Sequence, residues 1–335
     1  MHTRFARHII AATGLAVGRA GLAAAVAVTG VVAGGAAPAT AAPSFPQTVA
    51  YVRGGEVYVS HGSGERRLTT GGGHARPRWS PDGRRIAYLR GGRLWVMGAD
   101  GDGKRQLTTR RVGAPAWSPD GQWLAVASAG CTGGPSVYRV SAAAPKPGFQ
   151  VLFPTSCQDQ PLPPDTGAPR AGGSLAERLR TDDALAWSPD GRRIAFRGGD
   201  CESIFDDCLT LGTVATGAEE VLAAYGGGGQ EFSGFAVVPA FRPDGARVSW
   251  TAYQQGHTAG TSRPVHVVER DLATGSVRRI GVAEDRELSY ADAGRAFLTG
   301  RYRNHSYVTL LDLATGKRTP FRPGSQPSVR PSPRA

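Results

Sequence analysis

The sequence predicts an all-β protein: a six-bladed β-propeller of four-stranded sheets, closed by a strand from its C-terminal end and preceded by a signal peptide. Three observations predict it. An aromatic residue, then Ser-Pro-Asp-Gly, then a short apolar run recurs at spacings of about forty residues or more. A second turn signal follows each copy roughly twenty to thirty residues later, as repeated hairpins require. The chain also holds residues for six sets of strands but only five copies of the first turn, and the tail has a strand to spare.

Residues 1–41 read as a secretory signal. No acidic residue precedes Glu56, Arg4, Arg7 and Arg19 are basic, residues 20–37 are small and apolar, and Ala39-Thr40-Ala41 is the cleavage box. Cleavage after Ala42 would instead leave Pro43 first, which suits signal peptidases poorly. An uncleaved anchor is the competing reading, but Arg19 and the glycines make a poor spanning helix. The mature domain is then 42–335, with no transmembrane segment after cleavage.

The repeats are Trp79-Ser80-Pro81-Asp82-Gly83, Trp117-Ser118-Pro119-Asp120-Gly121 and Trp187-Ser188-Pro189-Asp190-Gly191, then Phe241-Arg242-Pro243-Asp244-Gly245 and a worn copy from Ser289 to Arg295. Proline presets the first central position of a type I turn, aspartate tolerates the bridge region, and glycine takes the left-handed position that follows. The β-formers after the turn, Ile86-Ala87-Tyr88-Leu89 and Ile194-Ala195-Phe196, read as buried strands. Asp271-Leu272-Ala273-Thr274-Gly275 and Asp312-Leu313-Ala314-Thr315-Gly316 mark the second hairpin, and Val214-Ala215-Thr216-Gly217 and Ala99-Asp100-Gly101-Asp102-Gly103 repeat it loosely. With strands named a to d, six b-c-d sets begin near Val49, Arg84, Gln122, Arg192, Arg247 and Arg295. The first lacks an a strand. A ring of sheets must join its ends, so the residues around Ser328-Val329 are expected to supply it.

The Trp-Ser-Pro-Asp-Gly-x-x-Ile-Ala pattern resembles the WD40-like Pro-Asp repeats of TolB-type β-propellers, over about residues 49–321. A β-sandwich is the competing fold, but it needs no fixed phrase at blade spacing. The resemblance implies the fold, export, and binding of a protein, peptide or cell-envelope component. TolB proper carries a further N-terminal α/β domain, whereas about seven residues separate this signal from the first strand. Its partner in the Tol-Pal system is therefore not carried over.

Cys131, Cys157, Cys201 and Cys208 form an even set in an exported chain, which favours two disulfides with three possible pairings. Cys201 with Cys208 is preferred, because they flank a short b-c loop with neighbouring stems, leaving Cys131 with Cys157. Neither pair has zinc-ligand spacing. Loss of the signal's three arginines takes the formal charge from +12 to +9. Only Lys104, Lys146 and Lys317 among the 39 basic residues are lysines, and the arginines are scattered, so no nucleic-acid partner is expected.

In a propeller the a-b and c-d turns share one face and the b-c and d-a connections the other. Here the second face carries the added length, at residues 129–135, 154–183, 198–207, 223–238, 253–264 and 301–306. Loops on a rigid frame are where binding residues can vary. The candidate binding residues are Tyr253, Gln254 and His257 from the fifth blade, Tyr302, Arg303 and His305 from the sixth, and Glu202, Asp206 and Asp207 from the fourth, placed around the channel mouth. Residues 226–229 and 161–171 read as connectors.

No catalytic residue, metal or cofactor is assigned. No Gly-x-Ser-x-Gly elbow occurs and residues 321–335 leave no room for a hydrolase domain, which excludes a propeller-gated serine peptidase. Asp182-Asp183 and Asp206-Asp207 are adjacent pairs that a strand would point to opposite faces. Residues 100–103 resemble the start of a calcium loop, but position 111 is arginine where glutamate is needed. The expectation is an exported, non-catalytic monomeric scaffold binding a protein, peptide or envelope component through its b-c and d-a face. A hydrolase or lyase acting on a glycan or lactone in the channel is the alternative, and would need three or more His, Asp or Glu side chains on the axis. A chiefly structural envelope protein is the third reading.

Overall fold

The computed structural model describes residues 45, 47–131, 135–143, 148–165, 184–199, 207–225, 234–256 and 262–332. The chain divides into Met1–Pro43 and Ser44–Ala335, and everything described belongs to the second unit. The expected signal peptide, connector residues 226–229 and Asp182-Asp183 lie outside the described residues, as does most of 161–171. No described helix is long and apolar enough to cross a membrane.

Six antiparallel four-stranded sheets form the ring. The first blade runs, from the axis outwards, Ser325–Val329, Thr48–Arg53, Glu56–His61 and Gly64–Arg67, so its inner strand comes from the chain end. Val49 pairs with Val329 and Ala50 with Ser328. The other inner strands are His74–Trp79, Ala116–Trp117, Ala186–Trp187, Gly234–Phe241 and Arg286–Tyr290, each followed in its sheet by three strands in chain order. Each inner strand packs on the next around the circle, the last on Ser325–Val329.

The closing strand is fixed from three sides. The Trp79 amide donates to Ser328 Oγ at 3.2 Å, the Val329 amide to Ser289 Oγ at 3.1 Å, and the Arg330 amide to the Thr48 carbonyl at 2.8 Å. Beneath it, Phe45, Val49, Tyr51, Phe297, Val308 and Phe321 form one buried cluster across the first and sixth blades. Phe321 meets Phe45 and Phe297 edge-on at 4.7 and 5.4 Å between centroids, a preferred aromatic geometry.

The repeated turn is built alike in three blades. Ser80 and Ser188 donate to Asp82 and Asp190 at 2.5 Å, Ser118 donates to Asp120, and each aspartate accepts the amide two residues on at 2.9 to 3.0 Å. In the fourth copy Arg242 Nε replaces the hydroxyl, donating to Asp244 at 3.0 Å. The turn glycines are left-handed, Gly191 at φ 74°. Proline and glycine also meet across blades: a Cβ on Gly121 would sit 3.7 Å from Pro81, one on Gly191 3.6 Å from Pro119, and one on Gly245 3.7 Å from Pro189. The phrase thus tiles the ring as well as turning the chain.

Candidate functional site

Two of the expected loop-face residues come together. Arg197, ending the second strand of the fourth blade, donates to the Asp207 carboxylate through Nε at 2.7 Å. Its guanidinium lies 5.2 Å over the Phe235 ring, and Phe235 stacks on Tyr253 at 5.2 Å and 16°. Phe235 joins Ala114, Ala184, Val237 and Val238 in a buried cluster drawn from the inner-strand segments of the third, fourth and fifth blades. Burial and the charge of Glu287 both raise the Tyr253 hydroxyl, so Tyr253 senses the channel interior. Gln254 accepts from Arg263 at 3.0 Å.

The sixth-blade trio occupies a different place. Arg303 and Asn304 form a two-residue hairpin turn with φ of 47° and 64°. Arg303 rests 5.3 Å from the Tyr302 ring, which meets Tyr307 edge-on at 5.2 Å. His305 lines a shallow recess of about 500 Å³ with Arg53, Gly54 and Gly55 of the first blade. This recess follows the seam between the sixth and first blades. Glu202, Asp206 and His257 lie outside the described residues.

Cys131 and Cys157 are joined, with Cα atoms 5.6 Å apart. Cys208 is disulfide-bonded as well, while Cys201 lies outside the described residues. Among the described residues no group of three His, Cys, Asp or Glu could hold a metal ion.

The channel wall holds residues that sequence reasoning missed. Three positions before the repeated aromatic, or before Val329 in the first blade, the six blades carry Arg76, Ala114, Ala184, Val238, Glu287 and Gln326. Arg76, Val238, Glu287 and Gln326 have φ between 52° and 58°, where the inner strands slip register against their partners. Arg76 Nη1 donates to Glu287 Oε1 at 2.7 Å, the Arg76 amide to Gln326 Oε1 at 2.7 Å, and the Gln326 amide to Glu287 Oε2 at 3.0 Å. Thr299 adds a 2.6 Å bond to Glu287. Burial pushes the Glu287 carboxyl up, but Arg76, Arg286 and Thr299 outweigh it and hold it below its ordinary value. One side of this layer is therefore a hydrogen-bonded charge cluster and the other is apolar.

Nearer the Pro-Asp-Gly turns lies a cavity of about 300 Å³. Trp79, Trp117, Trp187, Phe241 and Tyr290 contribute to its wall, with Pro81, Pro119, Pro189 and Pro243. The phrase that marks the fold thus also lines the axial opening, on the face that carries the short turns.

No family model matches the chain, and no curated protein matches it. Solved structures do. TolB from Acinetobacter baumannii is 16% identical with a TM-score of 0.62, over 87% of this chain and 68% of that one. A putative TolB from Agrobacterium tumefaciens is 17% identical with a TM-score of 0.55, over 85% and 92%. A chain of a nidogen/laminin complex reaches 0.57 at 9% identity, over 85% and 98%. At these identities the likeness is one of fold: the chain has the six-bladed propeller seen in TolB proteins.

Proposed function

We propose that the protein is an exported, non-catalytic propeller scaffold that binds a protein, peptide or cell-envelope component through its b-c and d-a loop face. The observation that carries this reading is the group formed by Arg197, Asp207, Phe235 and Tyr253 beside the channel. It sets a stacked aromatic pair beside a guanidinium and a carboxylate, all anchored on strands. Rigid aromatics with an adjacent arginine are the residue types that dominate binding energy at protein interfaces. Export is supported by the Cys131–Cys157 bridge, since disulfides persist in oxidising compartments. The likeness to TolB proteins supports a binding rather than a catalytic role. A glycan or lactone hydrolase or lyase needs convergent acid and base groups. The layer at Arg76 brings one carboxylate, Glu287, already engaged by Arg76 and Thr299.

The test is a crosslinking capture from the envelope fraction, using the parent, Tyr253→Ala, and an Arg303→Ala/His305→Ala double variant. A partner recovered by the parent and lost with Tyr253→Ala supports the site beside the channel. Loss with the double variant alone moves the site to the seam of the sixth and first blades. Equal recovery by all three overturns the loop-face reading.

A further inference from the structure

The cavity on the Pro-Asp-Gly face carries an inference separate from the loop-face reading. The residue immediately before the repeated aromatic is alanine or serine in four blades, Ala116, Ala186, Ala240 and Ser289, and Ser328 holds the equivalent place before Val329 in the first. In the second blade it is Arg78. Arg78, Ala116, Ala186, Ala240 and Ser289 all line the cavity, so one guanidinium stands among small side chains that leave it space.

Among the described residues this arginine has no acidic partner within ion-pair distance. Of its five donors, the described residues engage one, Nη1 to the carbonyl of Pro77 at 3.0 Å. The carboxylate that it senses is Glu287, committed to Arg76, Thr299 and the Gln326 amide. Burial and the charge of Arg76 push Arg78 down to about 10, so it stays charged at neutral pH in surroundings that penalise the charge. An anion placed here relieves that penalty.

The walls narrow the choice of anion. The indole N–H groups of Trp117 and Trp187 are committed to the carbonyls of Arg78 and Gly191, both at 3.0 Å. The Ser188 hydroxyl is committed to Asp190 and the Arg193 amide. Pyrrolidine and aromatic faces suit an apolar side chain, and the Trp79 indole N–H is a buried donor with no partner among the described residues, available to a second acceptor of the bound segment. A cavity of about 300 Å³ takes a short chain end, not a folded surface. We propose that the axial cavity on the Pro-Asp-Gly face is a binding site for a peptide segment bearing a carboxylate. The carboxylate pairs with Arg78, and the adjoining apolar side chain rests on Trp187, Phe241 and the ring of prolines.

The probe is acetyl-Ala-Pro-Phe with a free C-terminal carboxylate, titrated into the full chain by calorimetry and tryptophan fluorescence beside the same peptide as its amide. A charged hydrogen-bonded pair in a partly enclosed cavity predicts saturable binding of the acid, at least about tenfold tighter than the amide. Arg78→Gln should remove that preference, and Arg78→Lys should restore part of it. Equal affinity for acid and amide overturns the proposal, as does an acid preference that survives Arg78→Gln or the absence of saturable binding. Tighter binding of a diuronate than of the peptide overturns the peptide assignment. If Arg78→Gln does not fold, the acid and amide comparison on the parent decides.

Discussion

The turn aspartates show how a repeated phrase acts residue by residue. Asp120 and Asp190 are held below the ordinary carboxylate value, chiefly by their serine hydroxyls, and Asp244 chiefly by Arg242. A carboxyl depressed in the folded state adds stability that is present above its unfolded value, near pH 4, and lost as the pH falls through the lower folded value. Asp190→Ala should therefore cost about 1 kcal/mol near pH 7, by removing the bonds from Ser188 and the Arg192 amide. Asp190 is exposed, which keeps the figure small. Urea midpoints of parent and variant should converge as the pH is lowered from about 6 to 2. A gap that does not narrow would mean that the turn needs the side chain's shape rather than its charge. These positions were legible in the sequence because their job is local: the proline, aspartate and glycine each satisfy the backbone within five residues. Arg76 and Glu287 were not. They sit at left-handed bulges, which break the alternation used to assign faces along a strand.

Between elements, contacts depend on what a neighbouring blade leaves open. Phe153 is fully buried, stacks on Phe196 at 5.1 Å, and lies flat over Gly212 in the third strand of the fourth blade. A Cβ on Gly212 would fall 2.5 Å from that ring. Gly212→Ala must displace the ring from the seam of the third and fourth blades, an overpacking cost of about 1 to 3 kcal/mol. Differential scanning calorimetry should find the loss, and a variant as stable as the parent would show that the seam relaxes freely. The strand order was legible from the spacing of turns, since sequential hairpins leave little choice of neighbour. The groups facing the channel were legible only in part. Tyr253 was expected at the mouth on the strength of its loop. Its stacking partner Phe235 comes from an adjacent strand and its charged neighbour Arg197 from another blade. Arg78 did carry a sequence signal, as the one large residue at a position otherwise alanine or serine, and it emerges when the inner strands are aligned on their aromatics.

At the scale of the molecule, closure of the ring and polarity of the channel are one problem. Gln326 lies on the closing strand, between Arg76 of the second blade and Glu287 of the sixth, and bonds to both. The ion pair therefore reaches across the first blade and clamps the strand that completes it. Removing one member of a buried pair takes that counter-charge from the other, so Glu287→Gln should cost about 3 to 5 kcal/mol. Replacing both, as Arg76→Met with Glu287→Leu, should recover much of that loss, because the desolvation of the charges disappears along with their attraction. Since Glu287 is held low, the clamp should also weaken as the pH falls below about 4.5, the sign expected of a depressed carboxyl. A chain ending at Gly324 removes the clamped strand altogether and exposes the apolar cluster around Phe321 and Val49, so it should no longer unfold in one cooperative step. Guanidinium unfolding of the single variant, the double variant and the shortened chain separates these effects. If the single variant stays within about 1 kcal/mol of the parent, the pair is not a clamp. A shortened chain that keeps a sharp transition at the parent's midpoint would show that the ring does not depend on its borrowed strand.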